Sequence, residues 1–381
     1  MQDWRNWLLV LVSVLLSMMV AEAFARMFWG AQIVLFPRYQ AAVTYGDITI
    51  RRLQPEAVFW HTSVDGSWKF TVNERGFRDH RDFSYEKPDG TIRIIALGDS
   101  HTQGFEVRQD RTYPAVIERF LDRRGLEAEV INAGISGFGT AEAALFLQHE
   151  GLRYAPDAVV LGFYANDFDD NIKSGLFAVG DDGELTLEKK THAPGTGILR
   201  LHNAVPPLRW LSENSYLYSF AMNTIWESMK LALLQEKQQE LAVATAQADN
   251  YQKQLAEQLL KRMYLLCQEN DVLFIVLDIP EPSETAQFAS SIPEDLVDAF
   301  DRYSDALIQS EEALARYRGV AEFHVPHGQR HISEMSHMLL GVEVAETVQD
   351  LLATAGGPPD GGTASLRGAS GEGARSDRAR P

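Results

Sequence analysis

Ile92-Arg-Ile-Ile-Ala-Leu-Gly98-Asp99-Ser100-His101-Thr102-Gln103-Gly104 joins an apolar run directly to a Gly-Asp-Ser turn. The run reads as a buried strand, and the turn sets a hydroxyl at its carboxyl end, where open α/β sheets bind ligands. At the start of the next helix, Ser100 would face exposed backbone N–H groups and the positive end of the helix. Asp99, Ser100 and Thr102 are also ordinary turn and N-cap residues, so the turn acquires chemical meaning only from other segments.

From Thr91 onward, near-continuous apolar strands alternate with helical patterns. Strands are predicted at Ile92–Leu97, Glu129–Asn132, Ala158–Tyr164 and Val272–Ile279, with helices at Tyr113–Arg124, closed by Gly125, and Thr140–Tyr154. This alternation predicts an α/β fold with a parallel sheet covered on both faces. An insertion interrupts it from about 170 to 270: loop-like up to Leu217, then helical from Tyr218 to Glu269. Leu255, Leu259, Met263 and Leu266 lie at helical spacing there, which favours a crossover helix on the sheet over a lid at the entrance.

Residues 30–90 read as a small antiparallel β annex, with strand-like pieces at Asp47–Arg51 and Trp68–Val72, and residues 91–354 as the main domain. The Gly-, Ser- and Pro-rich tail 355–381 has too little apolar content to offset the cost of order and is expected to be disordered.

The chain has 381 residues and a net charge of −18, which argues against nucleic acid and does not favour an anionic lipid surface. Its one cysteine, Cys267, excludes an intrachain disulfide and a Cys-x-x-Cys zinc site, and reads as a core residue. The uncharged run Asn6 to Ala21, extended by its flanks, comes near the roughly 20 residues that span a bilayer. Residues 1–29 are therefore expected to form a transmembrane anchor, with membrane contact through 4–26. Ala21-Glu22-Ala23 has the shape of a signal-peptide cleavage site. Against cleavage stand a near-neutral start, Arg5 against Asp3, and the apolar run Met27 to Phe36 beyond it. Arg5 and Arg26 on the two flanks leave orientation open.

Three later segments complete a constellation around Ser100. Ile131-Asn-Ala-Gly134-Ile-Ser-Gly137-Phe-Gly139 follows a strand, and its glycines let a backbone N–H approach a ligand. Phe163-Tyr-Ala-Asn166-Asp167 closes the next strand with an amide that can stabilise an oxyanion. Glu334-Met-Ser-His337-Met-Leu-Leu-Gly341 offers His337 as a base, with Glu334 one turn away to orient it. His324, His327 and His331 lie nearby without a carboxylate pattern, so no metal is expected.

These four ordered segments resemble the SGNH, or GDSL-type, hydrolases over roughly Thr91 to Leu352. The resemblance implies a flavodoxin-like three-layer sandwich, the SGNH hydrolase fold, carrying an N-terminal membrane helix and a helical insertion. By position it makes Ser100 the nucleophile and first oxyanion donor, Gly137 the second, Asn166 the third, and His337 the base, with Asp99 and Asp167 in support. No cofactor and no metal are implied. Val72-Asn-Glu-Arg-Gly76-Phe77-Arg78-Asp79, after the anchor helix, is similar to the membrane-tethered bacterial branch, which modifies cell-surface glycans or lipids. That implies a single-pass inner-membrane protein with its catalytic domain in the periplasm or outside the cell. Two departures stand out. Glu334 occupies the place of the family's Asp, with no Asp between Ala306 and Gln349, and Gly341 follows His337 by four positions where the family commonly has five.

The expected function is a serine esterase working through an acyl-enzyme on Ser100. An O-acyltransferase of surface polysaccharide would use the same intermediate, and a non-catalytic binding or assembly protein would keep the fold without a competent base.

Overall fold

A computed structural model describes residues 3–35, 37–180, 182–240, 245–284, 286–327 and 331–355. The expected tail 356–381 lies outside them. The first helix, α1 (Asp3–Trp29), stands out from the body with most of its side chains exposed. Over Trp4–Trp29 it is long and apolar enough to cross a membrane, a test that a signal sequence also passes.

The annex holds two hairpins: β1 (Gln40–Tyr45) with β2 (Ile48–Leu53), and β3 (Val58–Ser63) with β4 (Gly66–Thr71), both antiparallel. In the main domain β5 (Ile92–Gly98) leads into α2 (Ser100–Gln103) and α3 (Tyr113–Arg123). Next come β6 (Ala128–Asn132), α4 (Thr140–His149), β7 (Ala158–Phe163) and α5 (Asp167–Ser174).

The insertion contains a small hairpin, β8 (Phe177–Val179) with β9 (Leu185–Leu187), then β10 (Thr191–His192), which adds in parallel to β2 and stitches the insertion to the annex. Three helices follow: α6 (Thr196–Ala204), α7 (Pro206–Asn214) and α8 (Tyr216–Glu240). The long helical stretch anticipated from 218 to 269 is thus two helices, α8 and α9 (Thr245–Gln268). Only α9 is the crossover, burying Leu255, Leu259, Met263 and Cys267 against the sheet before β11 (Leu273–Asp278). A hairpin of β12 (Glu281–Ser283) and β13 (Gln287–Ala289), helix α10 (Val297–Arg302), strand β14 (Ala306–Ile308), helix α11 (Ser310–Leu314) and the terminal α12 (Glu334–Ala355) complete the domain.

The central sheet runs β6-β5-β7-β11-β14, every pair parallel. In order of appearance this is 2-1-3-4-5, the flavodoxin-like order, whose reversal between the first and third strands opens a crevice at their carboxyl ends. α3 and α12 cover one face and α4, α5 and α9 the other, so the sheet's strands are apolar on both sides, as anticipated. Ser100 follows β5 and Asn166 follows β7, so the reversal places both at one crevice.

Candidate active site

The turn after β5 is built around close contacts that only glycine permits. Gly98 has φ 145°, and a Cβ there would lie 2.7 Å from the Gly162 carbonyl oxygen on the adjacent β7. Asp99 caps α2, its Oδ1 accepting from the His101 N–H at 2.8 Å, which turns Ser100 outward at the helix start. Gln103 then ties α2 to the loop after β6: its Oε1 accepts from the Ser136 N–H at 2.7 Å and from the Ser136 hydroxyl at 2.6 Å. That loop carries Gly137 at φ 80°.

Ser100, Gly137 and Asn166 line one cavity of about 340 Å³, together with His331 and His101. The Ser100 Oγ lies 2.8 Å from His331 Nε2. His331 is buried in the segment before α12, its ring stacked on Phe105 at 4.2 Å and 4.7 Å from the His101 ring. Burial, with His101 adding to it, holds its pKa well below the ordinary histidine value, so the ring is neutral at pH 7. Its Nδ1 has no hydrogen-bond partner among the described residues. Position 328, three residues earlier, is glycine.

This geometry does not bring His337 and Glu334, expected as base and orienting acid, to the Ser100 hydroxyl. His337 is fully buried in the first turns of α12, where its Nδ1 accepts the Tyr113 N–H at 3.0 Å and its ring stacks on Tyr113. Once α12 starts at Glu334, a residue at 337 points toward α3, and Gly341 allows the two helices to meet, since a Cβ there would lie 2.8 Å from Val116. Glu334 does not reach a histidine. Both of its oxygens are held by the Arg108 guanidinium, at 2.9 and 2.8 Å. Partial burial pushes its carboxyl up, but the Arg108 hydrogen bonds outweigh this and hold it below the ordinary range.

The expected supports occupy distinct places. Asp99 is fully buried; burial pushes its carboxyl up, but its contacts with His101 outweigh this and hold it below its ordinary value. Asn166 Nδ2 donates to Asp99 Oδ2 at 3.0 Å. A carboxylate only accepts, so this bond fixes the amide's orientation, and an NH₂ group has a second hydrogen to offer. Asp167 accepts from the Tyr164 N–H at 3.0 Å and closes the turn that presents Asn166. Burial, reinforced by Asp99, raises its pKa well above the usual value. The other two histidines singled out in the sequence take structural contacts: His324 Nε2 meets the Pro280 carbonyl, and His327 pairs with Asp65 at 2.9 Å.

Two contributors escaped sequence reasoning. Arg78, within the Asn73–Asp79 motif, is buried over the Phe70 ring at 3.6 Å and donates to the Gln103, Gly104 and Val107 carbonyls. It thereby satisfies the carbonyl end of α2 and fastens the serine turn to the annex; burial lowers its pKa to about 9. In the sequence His331 stands just ahead of an apolar-periodic helix, the same signal that points to His337.

The sequence matches the model of the GDSL-like lipase/acylhydrolase family over residues 96–296, more than half of the chain. The chain belongs to this family. Among solved structures, this GDSL-family chain is similar to TesA at 16% identity and a TM-score of 0.37, over 68% of this chain and 99% of that one. It is similar to the lipase/acylhydrolase from Enterococcus faecalis at 17% identity and a TM-score of 0.37, over 68% and 96%. Esterase EstA from Pseudoalteromonas sp. matches at 12% identity and a TM-score of 0.35, over 69% and 99%. No curated protein matches the sequence.

Proposed function

We propose that the chain is a serine-dependent ester hydrolase in which His331 is the base. The observation that carries this reading is the 2.8 Å contact between Ser100 Oγ and His331 Nε2 in a cavity also lined by Gly137 and Asn166. In the first half-reaction the Ser100 hydroxyl passes its proton to His331 Nε2 while Oγ bonds to the ester carbonyl carbon. The carbonyl oxygen becomes an oxyanion, held by the backbone N–H of Ser100, that of Gly137 and the second amide hydrogen of Asn166. Collapse expels the alcohol, which takes the proton back from His331. Water, deprotonated by the same nitrogen, then releases the acid.

With no carboxylate on Nδ1 among the described residues, the charge that favours the imidazolium is Asp99, which raises the His331 pKa against burial. Asp99 would thus serve three neighbours: it caps α2, orients Asn166 and stabilises protonated His331.

A non-catalytic reading requires that no base reach Ser100, and the 2.8 Å contact with His331 speaks against it. Transfer of the acyl group to a glycan hydroxyl uses the same intermediate, so acceptor access decides between hydrolysis and transfer. α1 serves in this reading as a single membrane span holding the domain at the bilayer surface. The test is intact-mass detection of one acyl adduct on the full chain after exposure to an activated ester, lost in Ser100→Ala. An adduct that persists in Ser100→Ala would overturn the assignment.

A further inference from the structure

The end of α1 is pinned to the insertion by a dense set of contacts. Glu22 accepts from the Ser215 hydroxyl at 2.7 Å and from the Tyr216 and Leu217 N–H groups at 3.0 Å, capping the start of α8. Arg26 lies over the Tyr216 ring at 5.0 Å, and Trp29 stacks on Phe220 at 5.9 Å. Ala25, Ile33 and Leu35 bury against Tyr216 and Leu217. The apolar helix therefore does not hang from a loose tether; its last two turns share one packed junction with α8.

That junction sets a level. Trp4–Trp29 comprises 26 residues, about 39 Å of helix, which exceeds the roughly 30 Å hydrocarbon layer. The charged end, Glu22 to Trp29, then falls at the lipid–water boundary, and the start of α8 with it. Around this level the insertion exposes large apolar side chains, Ile198 and Leu201 on α6 and Trp210 on α7, with Leu201 71% and Trp210 62% accessible. Ile198 and Leu201, three residues apart, share one face of α6, while Leu199 is buried. The charge here is also local and opposite to that of the whole chain. Between Thr191 and Asn214 the sequence has Arg200 and Arg209 against a single carboxylate, Glu213, which accepts from the Tyr39 hydroxyl, in a chain of net charge −18. Apolar faces flanked by arginine, with tryptophan at the rim, are what the boundary of an anionic bilayer selects.

We propose that α6, α7 and the start of α8 form a second membrane contact, resting on the lipid surface beside α1 and fixing the height of the active-site cavity above it. This rests on the reading of α1 as a span. α8 also supplies Asn223, Trp226, Glu227 and Lys230 to the cavity that holds Ser100. These residues follow Tyr216 by seven to fourteen positions, about 10–20 Å along the helix axis. An ester group carried by a membrane-embedded molecule is therefore within reach of Ser100, and the substrate class the placement fits is an acyl ester presented at the lipid surface.

The experiment places an environment-sensitive fluorophore on single cysteines in the full chain, reconstituted in vesicles of phosphatidylcholine and phosphatidylglycerol with chain-brominated lipids as quencher. Cys267 is buried and is replaced by Ser as a precaution. Probes at Leu11→Cys, Leu201→Cys and Trp210→Cys should all lose emission to the brominated lipid, with the last two blue-shifted relative to Val320→Cys, which is 79% exposed on the body. Quenching at Leu11 with aqueous emission at both 201 and 210 overturns the second contact while leaving the span intact. An unquenched Leu11 overturns the span and the proposal together. Probes at 201 and 210 that are shielded from both lipid quencher and aqueous iodide are covered by protein, which also overturns it. The triple variant Ile198→Ser, Leu201→Ser, Trp210→Ser should lower turnover of a vesicle-borne ester severalfold and leave turnover of a soluble acetyl ester unchanged. Equal loss on both substrates contradicts the proposal.

Discussion

His331 and His337 lie six positions apart on either side of the α12 start and have opposite surroundings. The segment before the helix presents His331 Nε2 to the Ser100 hydroxyl at 2.8 Å; the first turns of the helix drive His337 into the core, where it accepts the Tyr113 N–H. Both rings are buried and both have pKa values pushed well below the ordinary value by burial. Neither burial nor the direction of the pKa shift separates them. What separates them is which side of the helix boundary they occupy, because a helix fixes the direction of its side chains and α12 turns this one toward α3.

The sharpest way to break the comparison is to remove each partner of the Ser100 contact. Ser100→Ala and His331→Ala are each expected to lower kcat for a small activated ester by about 10³-fold or more, the size of loss seen when a nucleophile or its base is deleted. Their double variant should be little worse than either alone, since the two act as one unit. Normal turnover by His331→Ala would end the assignment of the base. Asn166→Ala comes next, at about 10²–10³-fold in kcat, the usual cost of one oxyanion donor, with KM little changed. A loss confined to KM would show that Asn166 binds substrate without stabilising the oxyanion.

The same contrast shows where the sequence was legible. β5, β6, β7 and β11 are apolar runs of strand length, and Ser100, Gly137 and Asn166 sit at the ends of three of them. A residue placed at a strand end is placed by the sheet, so its position could be read from the pattern. The strands β12, β13 and β14 have three residues each, too short for a periodic signal. Helix α12 was visible, but its start is set by packing against α3, and with HISEMSH offering two histidines the sequence alone does not say which precedes the turn. Arg78 was hidden for another reason. Its work is to satisfy carbonyl groups on α2, and that is a tertiary contact no local pattern announces.

His337→Phe provides a smaller, thermodynamic test. The ring stacking on Tyr113 is kept but the bond from the Tyr113 N–H is lost, so a destabilisation of about 1–3 kcal/mol is expected with turnover retained. The pH dependence carries the sign. A histidine held neutral in the fold takes up a proton more readily when unfolded, so it costs stability as pH falls below its ordinary value, about 6.5. Wild type should therefore lose ground to His337→Phe between pH 7 and 5, measured as the difference in denaturant unfolding free energy. In His331 the same depression should appear in catalysis, with kcat/KM on its plateau at neutral pH and falling only well below pH 6.5. A plateau reached only above pH 7 would contradict a depressed base.

The smallest expected effect belongs to Glu334. If it oriented a catalytic imidazole, Glu334→Gln would slow turnover substantially; in the structure it holds Arg108 at the surface, with its side chain 33% and that of Arg108 56% exposed. Exposed pairs of this kind contribute about 0–1 kcal/mol, screened further by salt. Glu334→Gln should leave kcat unchanged and shift stability by no more than that amount, and the shift should shrink at high ionic strength. A large loss of kcat at preserved stability would tie α12's first turn to the chemistry after all, and would mean that the boundary between His331 and His337 moves when substrate binds.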